Sequence, residues 1–372
     1  MIIFKRDLEP IIRKNLFKNK IIIIFGPRQS GKTTLTQTII KDFSNDGEYF
    51  DCQTVEVRNA FVEGEPKKLK EFIGQKTIVV FDEAQTIQNI GRILKVFHDH
   101  YPEVQVIATG SSSFDLANKI IEPMTGRAIE YTLLPLSLSE IKKDIPITKD
   151  KLLEIMQFGS YPEIISAPTI DDKKNSIKNI ATNYLYKDIF MLEQIRHPVV
   201  FEKLLKALAY QIGSLVSVDE LAKMTQTSPA TVNRYMRLLE QSFIIKIVRP
   251  FSNNPRTEIT KAFKVYFFDV GIRNVLAGIN EEMITRQDKD FIFENFFFCE
   301  LLKKYSLEIF PPEIMFWRTR KQLEIDFIEK DGQFITATEC KWTNQEVSFS
   351  QFLKKYPNSK TNVACPEFFI AK

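Results

Sequence analysis

At 372 residues, 44% hydrophobic and 26% charged, the chain is long enough for two or three domains with their own cores and does not have the composition of a disordered polymer. Its formal net charge of +4 permits contact with nucleic acid without arguing for it, because a basic face needs local clustering. The four cysteines (Cys52, Cys299, Cys340, Cys365) lack metal spacing and three histidines cannot supply a zinc site, which argues against zinc and a disulfide framework and points to a reducing cytoplasm. The opening MIIFKRDLEP has no cleavable apolar core and Ile21–Phe25 is too short to span a bilayer, so neither a signal nor a membrane segment is expected.

In chain order, short apolar runs at Ile21–Phe25, Tyr49–Asp51, Ile78–Asp82, Val104–Thr109 and Ile129–Leu134 alternate with amphipathic stretches, the pattern of a parallel α/β sheet. The first run leads into Gly26-Pro27-Arg28-Gln29-Ser30-Gly31-Lys32-Thr33-Thr34, a complete G-x-x-x-x-G-K-T followed by a helical stretch, Thr34–Lys41. A strand before and a helix after distinguish a phosphate-binding loop from a glycine-rich turn with a surface lysine. There the backbone N–H groups are expected to cradle ATP phosphates, Lys32 to reach the β and γ phosphates, and the Thr33 hydroxyl to hold Mg²⁺. TIVVFDEAQ carries Asp82 and Glu83 to a strand end, where Asp82 supports Mg²⁺ through water and Glu83 orients the attacking water. VQVIATGSSS ends in polar residues; Ser111 is the candidate for touching the γ-phosphate or lytic water, although Thr-Gly-Ser-Ser is also simply a good turn. Arg127 precedes the next strand and is read either as a transition-state cation, in cis or from a neighbouring subunit, or as a structural helix-end arginine.

After Pro135 the pattern is helical to about Tyr210, broken at Gly159–Pro162, and a helix-turn-helix pattern follows. Ser217 with Glu220 forms a capping box, Gln226–Ser228 turn the chain and Pro229 opens the second helix. On it Val232, Met236 and Leu239 face inward, while Thr231, Asn233, Arg234 and Arg237 face out. Strands at Ile244–Val248 and Lys264–Phe268 would form a wing, with Arg256 and Lys261 on DNA phosphates; the alternative is a lid or protein-docking module.

In QLEIDFIEKDGQFITATECKW, a two-residue Asp331-Gly332 turn would pair Lys330 with Gln333. Asp326 then lies opposite Ala337 and Glu324 opposite Glu339, leaving Asp326 and Glu339 as diagonal neighbours about 7–8 Å apart between backbones. Alternation puts Glu324, Asp326, Glu339 and Lys341 on one face. Asp326 and Glu339 could hold one Mg²⁺, with Lys341 at a scissile phosphate and Glu294 from the preceding helix as a further acid: the E…D…E-x-K layout of a Mg²⁺-dependent nuclease. The bland reading is a strand end with solvated charges.

The phosphate-binding loop, DEAQ, TGSSS, GRAIEYTLLPLSLSEI, FGSYPEII, VYFFDVGIRNVL and FIFENFFFCELL together resemble the prokaryotic AAA-type ATPases joined to a C-terminal domain of unknown function. The resemblance covers nearly the whole chain. It implies an α/β fold: an AAA-type P-loop ATPase core over 1–140, a helical lid over 141–208, a winged helix over 209–280, and a restriction-endonuclease-like α/β domain over 281–372. The expected cofactors are ATP and Mg²⁺. The expected partner is DNA at the C-terminal modules or, alternatively, a protein bound without nuclease activity; oligomeric state stays open.

Overall fold

The computed structural model describes residues 2–61, 65–110, 124–183, 195, 197–251, 262–319 and 321–370. Among them the chain divides into two units, Met1–Leu136 with Gln241–Phe243, and Ser137–Glu240 with Ile244–Lys372. The first unit runs α1 (Leu8–Lys14), β1 (Ile21–Phe25), α2 (Lys32–Ile40), β2 (Gly47–Asp51), α3 (Val55–Ala60), α4 (Pro66–Ile73), β3 (Ile78–Asp82), α5 (Ile90–His100), β4 (Gln105–Gly110) and β5 (Ala128–Thr132). All five strands are parallel, in the order β2-β3-β4-β1-β5. β1, β3 and β4 are buried along their whole length and the edge strands only in part. A parallel sheet covered on both faces needs such unbroken apolar runs rather than alternation, which is why they are so visible in the sequence. Phe81 packs edge-on against Phe61, with ring centroids 5.1 Å apart, and each such fully buried side chain stabilises the core by about 1.5–3 kcal/mol.

The second unit starts with α6 (Leu138–Lys142), α7 (Lys149–Phe158), α8 (Pro162–Ser166), α9 (Ile170–Asn183) and α10 (Pro198–Tyr210). Next come β6 (Leu215–Ser217), α11 (Val218–Thr225), α12 (Pro229–Gln241), β7 (Ile245–Val248) and β8 (Ala262–Phe267). The three strands form an antiparallel sheet with β8 in the middle. The Ser217 hydroxyl accepts from the Glu220 N–H at 3.2 Å, whereas the Glu220 carboxylate accepts from Gln211 Nε2 at 3.2 Å and does not close the expected box. On α12 Val232, Met236 and Leu239 are buried, Thr231 is half-buried, and Asn233, Arg234 and Arg237 are exposed. Arg256 and Lys261 lie outside the described residues.

The unit ends with α13 (Val270–Ala277), α14 (Lys289–Tyr305), β9 (Glu313–Arg318), β10 (Glu324–Asp331), β11 (Phe334–Cys340), α15 (Ser350–Lys355) and β12 (Lys360–Ala364), the sheet order being β12-β11-β10-β9. The β10–β11 hairpin corrects the expected register. Asp331 pairs with Phe334 and Phe327 with Thr338, so the loop is Gly332-Gln333 and not Asp331-Gly332. Gly332 has φ 57°, the left-handed value that a type II′ turn needs at its first central position. Moving the pairing by two residues slides the strands by one pair and does not by itself change which residues share a face. A bulge lies on the other side of β10: Ile325 pairs with Trp317 and Ile328 with Met315, so Asp326 and Phe327 together oppose Phe316. Ile325 and Ile328 therefore share one core with Met315, Trp317, Ala337 and Phe352, while Phe327 packs on Tyr266 and Phe298 of the opposite layer.

Candidate functional site

The first unit's site forms where β1, β3 and β4 end. Gly26 has φ 153°, and a Cβ there would meet the Leu133 carbonyl at 2.2 Å, so only glycine lets the loop pass this close to the chain beyond β5. Gly31, with φ 98°, caps α2, so Lys32 is the first helical residue, two earlier than expected. The Lys32 ammonium is buried and donates to the carbonyls of Gly26 and Pro27 at 2.9 and 2.8 Å. Arg6, for which the sequence offered no signal, is also buried; its guanidinium donates to Ser30 O and Leu134 O, both at 2.6 Å, and pins the loop to the chain after β5.

Asp82 is the centre of the polar network. Its Oδ2 accepts from Thr33 Oγ1 at 2.7 Å and from the Tyr49 hydroxyl, and its Oδ1 accepts from Thr109 Oγ1. Burial, then the Asp82 carboxylate, pushes the Tyr49 phenol well above its ordinary range, so Tyr49 is a fixed donor. Thr109 also accepts from the Glu83 N–H at 3.1 Å. Glu83 has φ 50° and ψ 45°, a left-handed conformation that is uncommon for a side-chain-bearing residue and recurs at functional sites. Gln85 Nε2 donates to its carboxylate. Ser111 lies outside the described residues; the β4 residue that joins the network is Thr109, and its place in a strand hid it from a search for turn residues.

A Thr hydroxyl and an Asp carboxylate side by side, between a strand end and a helix start, suit a hard divalent cation, so Thr33 and Asp82 fit the expected Mg²⁺. Arg127 is not brought to this site. Its carbonyl accepts from the Ile21 N–H at 3.0 Å, at the start of β1, and the loop follows the end of β1, about 13 Å further along a five-residue strand. Its guanidinium donates to Asp99 Oδ1 at 3.0 Å. Arg127→Ala is therefore expected to release phosphate from ATP at the wild-type rate. A large fall would mean that Arg127 acts in a neighbouring copy.

Residues 18–142 match the family described as an AAA domain. The N-terminal unit is an AAA-type P-loop ATPase domain. Downstream of it, residues 149–283 and 289–367 match two families described only as domains of unknown function, DUF8612 and DUF4143. An uncharacterized protein of Methanocaldococcus jannaschii is 26% identical over 382 residues, covering 96% of this chain and 82% of that one. An uncharacterized protein of Mycobacterium tuberculosis is 24% identical over 337 residues, covering 90% and 73%. The Thermotoga maritima RuvB Holliday junction branch migration motor aligns over 68% of this chain and 91% of its own with 14% identity and a TM-score of 0.33, a likeness too low to carry any argument. No helix among the described residues is long and apolar enough to cross a membrane.

Beyond the AAA domain, the second unit gathers the acids expected of the C-terminal site. Continuing the β10–β11 register by one pair sets Asp326 opposite Glu339, and the Cys340 N–H donates to Asp326 Oδ2 at 2.9 Å. Lys341 Nζ lies 2.7 Å from Glu339 Oε1. Glu294 comes from α14, where burial and then Asp326 push its carboxyl up to about 7 against the pull of Lys264. Burial and Asp326 likewise raise Glu339. These acids do not fit a divalent ion as they stand. Lys264 of β8 enters between them, 2.6 Å from Glu324 Oε1, 2.9 Å from Glu294 Oε1 and 3.5 Å from Asp326 Oδ1. Lys264 is the residue missed in the sequence, where it reads as an ordinary strand lysine. Among the described residues no three His, Cys, Asp or Glu side chains are arranged to hold a metal ion.

Proposed function

We propose that the chain hydrolyses ATP with Mg²⁺ at the loop Gly26–Thr34 and binds nucleic acid through α12 of its second unit, a winged-helix reading of α11, α12 and the β6-β8-β7 sheet. The observation that carries the ATPase half is the hydrogen bond from Thr33 to Asp82, which joins the loop to the strand-end carboxylate and assembles two oxygen donors for one cation. In this reading the N–H groups of Gly26, Pro27-flanking Arg28, Gln29, Ser30, Gly31, Lys32, Thr33 and Thr34 bind phosphate oxygens, and Lys32 leaves its carbonyl partners for the β and γ phosphates. Mg²⁺, when bound, offsets the charge that develops on those phosphates. Glu83 orients a water and accepts its proton, and Thr109 holds the Glu83 backbone in place.

The nucleic-acid half is supported by Asn233, Arg234 and Arg237, exposed together on a helix whose other face is buried. Arginine and asparagine are the side chains that make paired hydrogen bonds to guanine and adenine edges. ATP turnover measured with and without duplex DNA tests both halves. DNA is expected to raise turnover, and the Arg234→Ala/Arg237→Ala double variant is expected to keep basal turnover, lose the stimulation and discriminate less between DNA sequences. Turnover indifferent to DNA in the wild type would favour a protein-docking role for α12.

A further inference from the structure

The acids of the second unit are arranged around a cation, and that cation is a side chain. Lys264 is 1% exposed, and its Nζ has an oxygen of Glu294, Glu324 and Asp326 within 3.5 Å. We propose that the Lys264 ammonium is the resident cation of this carboxylate cluster, so that the cluster is closed to divalent metal and joins β8 to the C-terminal sheet instead of cleaving phosphodiester bonds.

Lys264 is held by main chain on both sides. It stands in β8, the central strand of its sheet, paired with Leu215 and with Val248. Three residues on, the Phe267 N–H donates to Asn295 Oδ1 and Asn295 Nδ2 donates back to the Phe267 carbonyl, both at 2.8 Å, locking β8 to α14. Between those points Tyr266 is fully buried, stacks on Phe298 with centroids 4.7 Å apart and donates its hydroxyl to Glu294. Withdrawing the ammonium would break its contacts with all three carboxylates from a position only 1% exposed, which is unlike the swing of a surface lysine.

The charges are also shared out. Arg318 Nη1 lies 2.7 Å from Glu324 Oε2, Lys341 holds Glu339, and the Cys340 N–H holds Asp326. A Mg²⁺ or Mn²⁺ placed on Glu294, Glu324 and Asp326 would sit beside the Lys264 ammonium, and like charges at that separation repel strongly in a buried site. Burial lowers the Lys264 pKa, but Glu294, Asp326 and Glu324 outweigh it and hold the ammonium charged well above the ordinary lysine range.

The test is Mn²⁺ binding to the full chain without nucleotide, followed by electron paramagnetic resonance. In the wild type, Asp326→Asn is expected to leave the bound Mn²⁺ unchanged. Lys264→Met is expected to gain one Mn²⁺ that the Lys264→Met/Asp326→Asn pair loses again, and Mn²⁺ is expected to raise its unfolding temperature by more than it raises that of the wild type. Wild-type Mn²⁺ that disappears with Asp326→Asn would overturn the proposal, as would DNA cleavage by the wild type that Asp326→Asn abolishes. If Lys264→Met does not fold, amine labelling of the wild type decides: Lys264 is expected to react at least about tenfold more slowly than exposed Lys360, as its burial requires. Equal labelling would show that the ammonium leaves the cluster, and would overturn it too.

Discussion

Glu83→Gln is expected to bind ATP as the wild type does and to turn it over at least about 100-fold more slowly, the usual loss when a positioned general base is removed. The substitution keeps the shape of the side chain and its partner Gln85, and it does not touch the backbone N–H that Thr109 accepts. What it removes is the carboxylate charge at the end of β3, next to Asp82. Asp82→Asn is the informative contrast. That carboxylate accepts from Thr33, Tyr49 and Thr109 at once, and an amide nitrogen would face one of those donors. Asp82→Asn should therefore weaken Mg²⁺-dependent nucleotide binding itself, not turnover alone. Phosphate release beside equilibrium binding of a fluorescent ATP analogue separates the two. Normal turnover by Glu83→Gln would remove Glu83 from the mechanism and leave water activation to another group.

The second large effect is on folding. Asp269→Ala is expected to destabilise the second unit by about 3 kcal/mol, from a lost helix cap and an orphaned buried N–H group. Asp269 is buried; its Oδ1 accepts from the N–H groups of Gly271 and Ile272 at the start of α13, and its Oδ2 from the Ser160 N–H at 2.9 Å. Burial pushes this carboxyl above its ordinary range, and the three N–H donors with Lys303 oppose that push. One side chain thus ties α13 to the turn after α7. Gly159, in that turn, has φ 85°, and a Cβ there would lie 2.0 Å from Asp269 Oδ1, so Gly159→Ala should be at least as damaging. Urea unfolding monitored by circular dichroism measures both. Stability unchanged in Asp269→Ala would mean that water satisfies these donors.

That contact explains two of the motifs that carry the family resemblance. FGSYPEII and VYFFDVGIRNVL lie more than a hundred residues apart, and each is only a glycine-containing apolar run by itself. Together they are the two halves of one buried joint, and the residues that meet there serve packing. Much of the candidate ATP site was legible because its information is local. A strand, a glycine loop and a helix follow each other within about twenty residues, and the buried runs of a parallel sheet need no partner to be noticed. The register of the C-terminal hairpin was only partly legible: alternation grouped Glu324 with Asp326, which both meet Lys264, but Asp331-Gly332 and Gly332-Gln333 are both acceptable turns, strand pairing chose between them, and no local signal announced the bulge.

Local sequence was enough to identify the phosphate-binding loop, the strand-end Asp82 and Glu83, and the buried and exposed faces of α12, because neighbouring residues and simple periodicity carry that information. Long-range packing was needed to reveal that Thr109 completes the network around Asp82, that Arg127 stands at the other end of the sheet, and that Lys264 fills the acid cluster. The reason is physical. The ion pair between Lys264 and Asp326 depends on where the fold places two strands distant in sequence, and no local propensity of a lysine in AFKVYF encodes the charge it will meet.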